Sequence, residues 1–242
     1  MENLKTFDEI IESLRKIKDQ GYYKTIRSGN TGVGATLEHL LQIPENNIAG
    51  PNGHQTELKS RRKTSSGMMT LFTKSPDPPN INTKLLKYYG YPDDKQPNKT
   101  VLHTTVYTKK FNTIQGKESF KINSLSDKIE VVHKNPIASL PVPYWTKESL
   151  ENAFLKKYPL WLLYVIADSR GRGEDEEFWF NEAYQLSGFS FKNFLRLLET
   201  KTIYVDIRIG VYPDGRSHDH GTGFRIRHDN LDQCFSTRKR VL

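Results

Sequence analysis

The pattern of apolar and polar residues predicts a helix at the start of the chain. Thr6 and Glu9 have the spacing of a capping box, and Gly21 stands where a helix would end. Between them, apolar side chains recur every three or four residues, as one face of an amphipathic helix requires. These positions are Ile10, Ile11, Leu14 and Ile17.

Short strands and further helices follow along the rest of the chain. A second helical pattern after the glycine-rich residues 28–34 has apolar positions at Val33, Leu37, Leu40 and Leu41. Three more helices are predicted at residues 83–89, 146–157 and 191–199. Strands are predicted at residues 56–60, 68–73, 101–108, 120–123, 128–133 and 160–168, followed by a hairpin of residues 203–211 and 222–227. Helices interspersed with strands indicate a mixed α/β or α+β domain.

The composition is that of a folded globular protein. The chain has 242 residues, of which 36% are hydrophobic, and its 12 Tyr and 12 Phe supply burial. Its apolar runs are shorter than the ~20 residues that span a bilayer. The first residues lack a signal-peptide pattern, and the single cysteine, Cys234, cannot form an internal disulfide. We therefore expect a cytoplasmic protein that does not bind membranes.

The net charge points to a polyanionic partner. The formal charge is +8 and the pI is about 9.3. A basic surface attracts nucleic acid, the commonest polyanion in a cytoplasm. Solubility alone is the alternative explanation, because many soluble proteins are basic.

A candidate catalytic centre lies in the strand predicted at residues 56–60. Side chains alternate along a strand, so Glu57 and Lys59 point the same way while Leu58 enters the core. A carboxylate can hold Mg²⁺ beside a phosphate, and a neighbouring lysine can stabilise developing charge. Glu38 on the preceding helix and the basic run of residues 59–63 strengthen this interpretation. The alternative is a solvated strand edge.

The closing hairpin carries groups suited to reading DNA. Tyr204, Asp206 and Arg208 share the polar face of one strand, while Arg225 and Arg227 face outward from its partner. Arginine donates two hydrogen bonds to guanine, and aspartate accepts one from cytosine N4. The alternative is an ordinary cross-strand ion pair on a solvated sheet face.

Two other features have rival interpretations. His218 and His220 flank Asp219 and could hold zinc, but no other Cys or His has a standard zinc spacing. We interpret both histidines as loop donors toward guanine. The glycine-rich residues 29–34 lack the Gly-Lys-Ser/Thr ending of a nucleotide-binding loop. We expect them to allow close approach of a DNA backbone to a helix N-terminus.

Taken together and in order, several segments resemble the MvaI/BcnI family of restriction endonucleases. The family is related to the mismatch-repair nicking enzyme MutH within the PD-(D/E)XK nuclease superfamily. The segments extend over residues 20–228, and the last two are closer to MvaI than to BcnI. They are residues 29–38, Glu45-Asn-Asn-Ile48, Glu57-Leu-Lys59, Thr70-Leu-Phe-Thr-Lys-Ser-Pro76, residues 205–210 and residues 218–226.

The resemblance implies a fold and an activity. It implies a central mixed sheet flanked by helices, with catalytic and recognition lobes around a DNA cleft. We expect a single nuclease domain over residues 1–242, with the catalytic lobe mainly at 1–110 and the recognition elements mainly at 200–228. The implied protein is a bacterial, monomeric type II enzyme that hydrolyses double-stranded DNA with Mg²⁺, or Mn²⁺ as a substitute. Its functional partner would be a DNA methyltransferase.

The resemblance also implies residue roles. Glu57 would bind the metal with Asn52 and Leu58, Lys59 would be the catalytic lysine, and Glu38 would support the metal or its water. The implied site is short and G·C-rich, with CC-(A/T)-GG as the first guess. The implied DNA contacts are Asp206, Arg208, His218, His220, Arg225, Arg61, Arg62, Lys63 and Lys74.

Asn52 departs from the family pattern, which has an aspartate five positions before the glutamate. Asparagine offers a neutral oxygen, so the site would bind Mg²⁺ with one less negative charge. An engineered substitution, natural drift, or deamidation of Asn52-Gly53 would each explain it. A cleavage-deficient DNA-binding protein and a MutH-like nicking enzyme are therefore the alternative functions.

Overall fold

The computed structural model describes residues 5–43 and 55–242. The α-helices in these ranges are α1 (Phe7–Gln20), α2 (Gly32–Leu40), α3 (Ile81–Tyr89), α4 (Lys147–Lys157) and α5 (Phe191–Glu199). The strands are β1 (Tyr23–Lys24), β2 (Thr56–Arg62), β3 (Met68–Thr73), β4 (Tyr91–Pro92), β5 (Thr100–Val106), β6 (Thr113–Ile114), β7 (Lys117–Glu118), β8 (Phe120–Ser124), β9 (Lys128–His133), β10 (Tyr144–Thr146), β11 (Trp161–Arg170), β12 (Glu177–Ser187), β13 (Ile203–Val211), β14 (Ser217–Arg227) and β15 (Thr237–Arg240). The mixed α+β class is confirmed. No helix among the described residues is long and apolar enough to cross a membrane.

The chain divides into two compact units. Unit 1 comprises Met1–Gly67, Leu155–Ser190 and Asp232–Leu242, and unit 2 comprises Met68–Phe154 and Phe191–Leu231. The strand with Glu57 and Lys59 belongs to unit 1, and the closing hairpin belongs to unit 2. Residues 68–110 also belong to unit 2.

Unit 1 is a mixed sheet with helices α1 and α2 against one face. The strand order is β1-β12-β11-β2, with β15 also paired to β12. Strand β2 runs parallel to β11, which runs antiparallel to β12. The capping box of Thr6 and Glu9 is confirmed, and α1 buries the predicted apolar face. That face packs into one core with α2 and the sheet residues Leu58, Leu163, Val165, Ala167, Phe178, Phe180 and Ala183.

Strand β12 is absent from the sequence-based assignment, although it is central to the sheet. Its buried residues Phe178, Phe180, Ala183 and Leu186 are spaced by two, three and three positions. The change in spacing coincides with a register shift opposite Ile166 and Ala167. A β-bulge adds one residue to a strand and therefore breaks the period of two that predicts strands.

Unit 2 contains the closing hairpin in the sheet β3-β14-β13-β5-β4 and a second sheet, β10-β9-β8. Phe72, Phe154, Phe194 and Phe224 pack together with ring centroids 4.8–6.1 Å apart. Strand β14 begins five residues earlier than predicted, at Ser217 rather than residue 222. The prediction of a loop at residues 218–220 is therefore wrong: they belong to β14, and beyond a register shift between Ile207 and Ile209, residues 217–219 continue the pairing with β13.

Candidate active site

The alternation of side chains along β2 places Glu57 and Lys59 on one face of the unit 1 sheet. Leu58 points the other way and is 5% exposed within the core. Glu57 is 0% exposed, which the sequence did not indicate. A fully buried carboxylate is costly unless cations or hydrogen bonds compensate its charge.

Two ammonium groups compensate the charge of Glu57. Lys59 Nζ lies 2.9 Å from Glu57 Oε1, and Lys157 Nζ lies 2.9 Å from Glu57 Oε2. Neither contact has hydrogen-bond geometry, so both are ion pairs without a directed bond to the carboxylate. Lys157 ends α4 and is remote from Glu57 in sequence. No motif around it marks it as a site residue.

An aromatic group next to Lys157 keeps water away from this part of unit 1. Tyr158 is 6% exposed, and its ring contacts those of Phe189 and Phe235. Burial raises the pKa of the Tyr158 hydroxyl well above its usual value, and the charge of Glu57 raises it further. Charges interact strongly in such surroundings because little water screens them.

A cavity of about 330 Å³ lies beside β2 within unit 1. Glu38 from α2 and Lys59 both line it, together with Leu58, Ser60 and Arg27. Glu38 is half-buried. The structure therefore brings a second predicted carboxylate and the predicted catalytic lysine to one cavity, although Glu57 is not among the residues that line it.

Arg62 holds the loop that borders this cavity. Its Nε and Nη2 donate to both carboxylate oxygens of Glu176 at 2.5 and 2.6 Å, and Nη2 also donates to the Gly29 carbonyl at 2.8 Å. Its Nη1 donates to the Asn30 carbonyl at 3.4 Å. These bonds use the guanidinium inside unit 1. These bonds give Arg62 a structural role, and its predicted DNA contact stays a prediction.

The other two residues of the basic run differ from Arg62. Arg61 donates weakly to the Ser65 carbonyl and lies 5.9 Å from the centre of the Tyr164 ring. Burial raises the pKa of Tyr164 to about 12, although the positive charge of Arg61 opposes the shift. Lys63 is 60% exposed and 3.6 Å from Asp168, a loose pair that leaves its ammonium accessible.

In unit 2, the predicted recognition residues form one hydrogen-bonded cluster. Asp206 is 3% exposed, so it is not on a solvated face. Its Oδ2 accepts from Arg208 Nε at 2.5 Å and from Arg225 Nη1 at 2.7 Å, and its Oδ1 accepts from Thr105 Oγ1 at 2.8 Å. Arg225 also donates to the Met68 carbonyl at 2.7 Å. The cluster fixes both guanidinium groups.

The hydrogen bonds also determine the ionisation of Asp206. Burial alone would raise its pKa, but the bonds from Arg208, Thr105 and Arg225 outweigh that effect and lower it. The carboxylate is therefore charged in the folded protein at neutral pH. It balances part of the charge of the two arginines.

A buried amide anchors the start of β14. Asn82 is 4% exposed, and its Nδ2 donates to Asp219 Oδ2 and to Thr222 Oγ1, both at 3.1 Å. Asp219 Oδ1 accepts from the Gly221 amide at 2.8 Å. The side chains of His218 and His220, which flank Asp219, lie outside the described part of the structure.

The remaining predicted residues are Asn52 and Lys74. Asn52 lies outside the described residues, so its role in metal binding stays a prediction. Lys74 belongs to unit 2 and is half-buried, and its carbonyl accepts from Trp145 Nε1 at 2.9 Å. Its predicted place near the scissile phosphate stays a prediction.

The residues around Glu57 fit a magnesium-type site. Among residues 5–43 and 55–242, no group of three or more His, Cys, Asp and Glu side chains could hold a metal ion. Mg²⁺ does not need such a group, since it is commonly held by one or two carboxylates plus phosphate and water. Glu57 offers two oxygens without directed hydrogen bonds. The side chain of Leu58 is in the core, so only its backbone oxygen is of a kind that ligates Mg²⁺.

Comparison with known proteins identifies the class. A solved structure described as "Restriction endonuclease MvaI-cognate DNA substrate complex" is 32% identical to the chain, with a TM-score of 0.85 over 97% of this chain and 98% of that one. Another, "Restriction endonuclease MvaI in the absence of DNA", is 31% identical, with a TM-score of 0.56 over 100% of both chains. No curated protein sequence matches the chain significantly.

The fold and these similarities define a restriction endonuclease, in the class of type II site-specific deoxyribonucleases. The family within this class is also defined, because the model of the MvaI/BcnI restriction endonuclease family matches residues 11–235. The chain belongs to that family.

Proposed function

We propose that this protein uses Mg²⁺ to hydrolyse phosphodiester bonds in double-stranded DNA at a short G·C-rich site, with CC-(A/T)-GG as the first candidate. One observation carries the metal-dependent part of the proposal. The buried Glu57 carboxylate is 2.9 Å from Lys59 Nζ, and Lys59 lines the same cavity as Glu38. A carboxylate that lacks directed hydrogen bonds beside a lysine suits phosphodiester hydrolysis.

Each residue of the site has a defined task in this proposal. Glu57 holds the cation, whose chemistry is to polarise a phosphate oxygen and to lower the pKa of a bound water. Lys59 orients the attacking water or stabilises charge on the phosphate. Glu38, which lines the cavity together with Lys59, orients a water. Position 52 contributes a neutral oxygen in this chain.

The recognition part of the proposal rests on the cluster in unit 2. The solved MvaI complex contains its cognate DNA substrate, which supports duplex DNA as the partner here. Asp206 is occupied by Arg208, Arg225 and Thr105, so its role is to aim the arginines. Arg208 is 44% exposed and is the best placed of the cluster to reach a guanine edge. Arg225 completes the cluster.

Further contacts and partners belong to the same proposal. His218 and His220 would approach bases from β14, and Lys63, Arg61 and Lys74 would contact phosphates without reading sequence. The protein would act as a monomer. A methyltransferase that modifies the same DNA site would protect the host.

Asn52 favours a second candidate, a sequence-specific DNA-binding protein that does not cut. Replacing a carboxylate by an amide removes one negative charge from a site that must hold a divalent cation. The recognition cluster does not depend on that charge. Binding without cleavage is therefore chemically coherent for this chain.

Plasmid cleavage separates these possibilities. The protein and its Asn52→Asp variant are incubated with a plasmid that contains CC-(A/T)-GG sites, with Mg²⁺ or Mn²⁺. Linear product from both supports an active enzyme, and linear product from the variant alone supports the binding protein. Open-circular product alone supports a MutH-like nicking enzyme. Absence of both cleavage and site-specific binding would overturn the proposal.

A further inference from the structure

Lys157 contacts Glu57 but has no task in the proposed mechanism of DNA cleavage. Its Nζ lies 2.9 Å from Glu57 Oε2, while Lys59 contacts Oε1 at the same distance. The Lys157 side chain is 24% exposed and the Glu57 side chain is 0% exposed. One buried carboxylate is therefore shared by two cations, one at each oxygen.

The local charge balance makes this pairing significant for a metal. One lysine is enough to neutralise one carboxylate, so the group formed by Glu57, Lys59 and Lys157 carries an excess positive charge. A divalent cation that approaches Glu57 would meet two ammonium groups close by, and repulsion at such distances is strong where water is scarce.

The two lysines differ in their attachment. Lys59 is two residues from Glu57 on the same strand, and it also lines the cavity. Lys157 comes from the end of α4 and reaches the other oxygen. Retracting Lys157 would expose Oε2 without disturbing β2. Lys157 is therefore the cation whose contact a metal can replace.

We propose that Lys157 is a built-in counter-ion of Glu57 that competes with the divalent cation and so sets the affinity of the site for metal. The inference rests on the proposed function, because it takes Glu57 as the metal-binding carboxylate. Without metal, Lys157 stabilises the buried charge. When metal binds, Lys157 gives up Oε2 and its ammonium moves toward water.

Binding of Mn²⁺ without DNA tests the proposal, because it needs no cleavage. Isothermal titration calorimetry compares the unchanged protein with Lys157→Met, and Lys156→Met serves as the matched control. Lys156 is the exposed neighbour on the same helix, so its removal changes the net charge equally. We expect Lys157→Met to bind Mn²⁺ about tenfold more tightly, since a short-range competitor is lost. We expect Lys156→Met to bind like the unchanged protein.

A second variant protects the test against misfolding. Lys157→Arg keeps the charge and adds a fork that can bond both carboxylate oxygens. We expect it to fold and to bind Mn²⁺ more weakly than the unchanged protein. Equal affinities for Lys157→Met, Lys156→Met and the unchanged protein would overturn the inference, as would tighter binding by Lys157→Arg.

A Glu57→Gln variant distinguishes failure of the counter-ion role from failure of the metal site. If it abolishes Mn²⁺ binding while Lys157→Met changes nothing, the metal site is real and only the counter-ion role fails. If the unchanged protein and Lys157→Met bind no Mn²⁺ at all, the metal site at Glu57 fails, and the inference fails with it.

Discussion

Two buried carboxylates in different units each have their charge compensated by two cationic side chains, but the contacts differ in kind. Glu57 in unit 1 and Asp206 in unit 2 are 0% and 3% exposed, and each lies against two cationic side chains. Asp206 accepts three hydrogen bonds, two of them from planar guanidinium groups. Glu57 is met by two ammonium groups without hydrogen-bond geometry.

The difference separates a fixed group from an exchangeable one. A carboxylate with its lone pairs engaged by arginine forks is held in one geometry, and it holds the arginines in turn. A carboxylate compensated only by charge keeps lone pairs for another cation. Asp206 therefore suits a rigid surface for reading DNA. Glu57 suits a site whose occupant changes during the reaction cycle.

The largest expected effect follows from replacing Glu57 by glutamine, which keeps the shape and removes the charge. We expect DNA cleavage to fall by at least about 10³-fold, because the group that would hold the cation is lost. Single-turnover cleavage is measured in the background that cleaves DNA, either the unchanged protein or its Asn52→Asp variant. Binding to the cognate duplex should change only a few-fold. Normal cleavage by Glu57→Gln would show that Glu57 is not an active-site residue.

The next effect follows from breaking the fixed cluster at Arg225. Arg225→Met leaves Asp206 buried with one arginine fewer, and loss of one partner from a buried pair costs about 3–5 kcal/mol. We expect a loss of stability near the lower limit, because Arg208 and Thr105 still bond the carboxylate. Urea denaturation measures it.

Arg208→Met is the matched control for that experiment. Arg208 is 44% exposed, so solvent screening limits its contribution to stability to about 1 kcal/mol or less. We expect this variant instead to lose discrimination between the cognate site and other DNA, by about 1–3 kcal/mol. Equal losses of stability in both variants would contradict a division between a structural arginine and a reading arginine.

The sequence predicted those parts of the site that depend on local spacing. Glu57 and Lys59 are two residues apart on one strand, so alternation alone places them together. Lys157 meets Glu57 only because the chain returns to unit 1 at the end of α4, and a single sequence contains no signal of that meeting. The sequence does not distinguish Arg62 from Arg61, because both lie in one basic run. Only the fold brings Glu176 within hydrogen-bond distance of Arg62.

Prediction of the fold had the same limits. Elements with an unbroken period were found, including α1, β2 and β9, whereas β12 was missed because its bulge breaks the alternation. The closing hairpin was found except for the first five residues of β14, which pair with β13 beyond a register shift. The burial of Asp206 was also missed. Its place on the polar side of β13 suggested solvent, but Thr105 on β5 and the arginines cover it.

The smallest expected effect is the dependence of stability on pH that Asp206 contributes. The pKa of Asp206 is lower in the folded protein than its ordinary value of 3.8. A lowered pKa contributes stability that is present above the unfolded-state pKa and is lost as pH falls through the folded-state pKa. We expect the stability difference between the protein and Asp206→Asn to be constant above about pH 5 and to shrink below about pH 4.

Urea denaturation of both proteins from pH 7 down to pH 3, at one ionic strength, measures this difference. The effect is small because the folded-state pKa lies below 3.8, so only part of the transition falls within the range where the fold persists. Arg225→Met provides the internal check. Removing a hydrogen bond that lowers the folded-state pKa of Asp206 should raise that pKa, so the loss of stability should be smaller and should end at higher pH. If the difference stayed constant down to pH 3, or if Arg225→Met did not reduce the loss, the hydrogen bonds of Asp206 would not lower its pKa as the structure indicates.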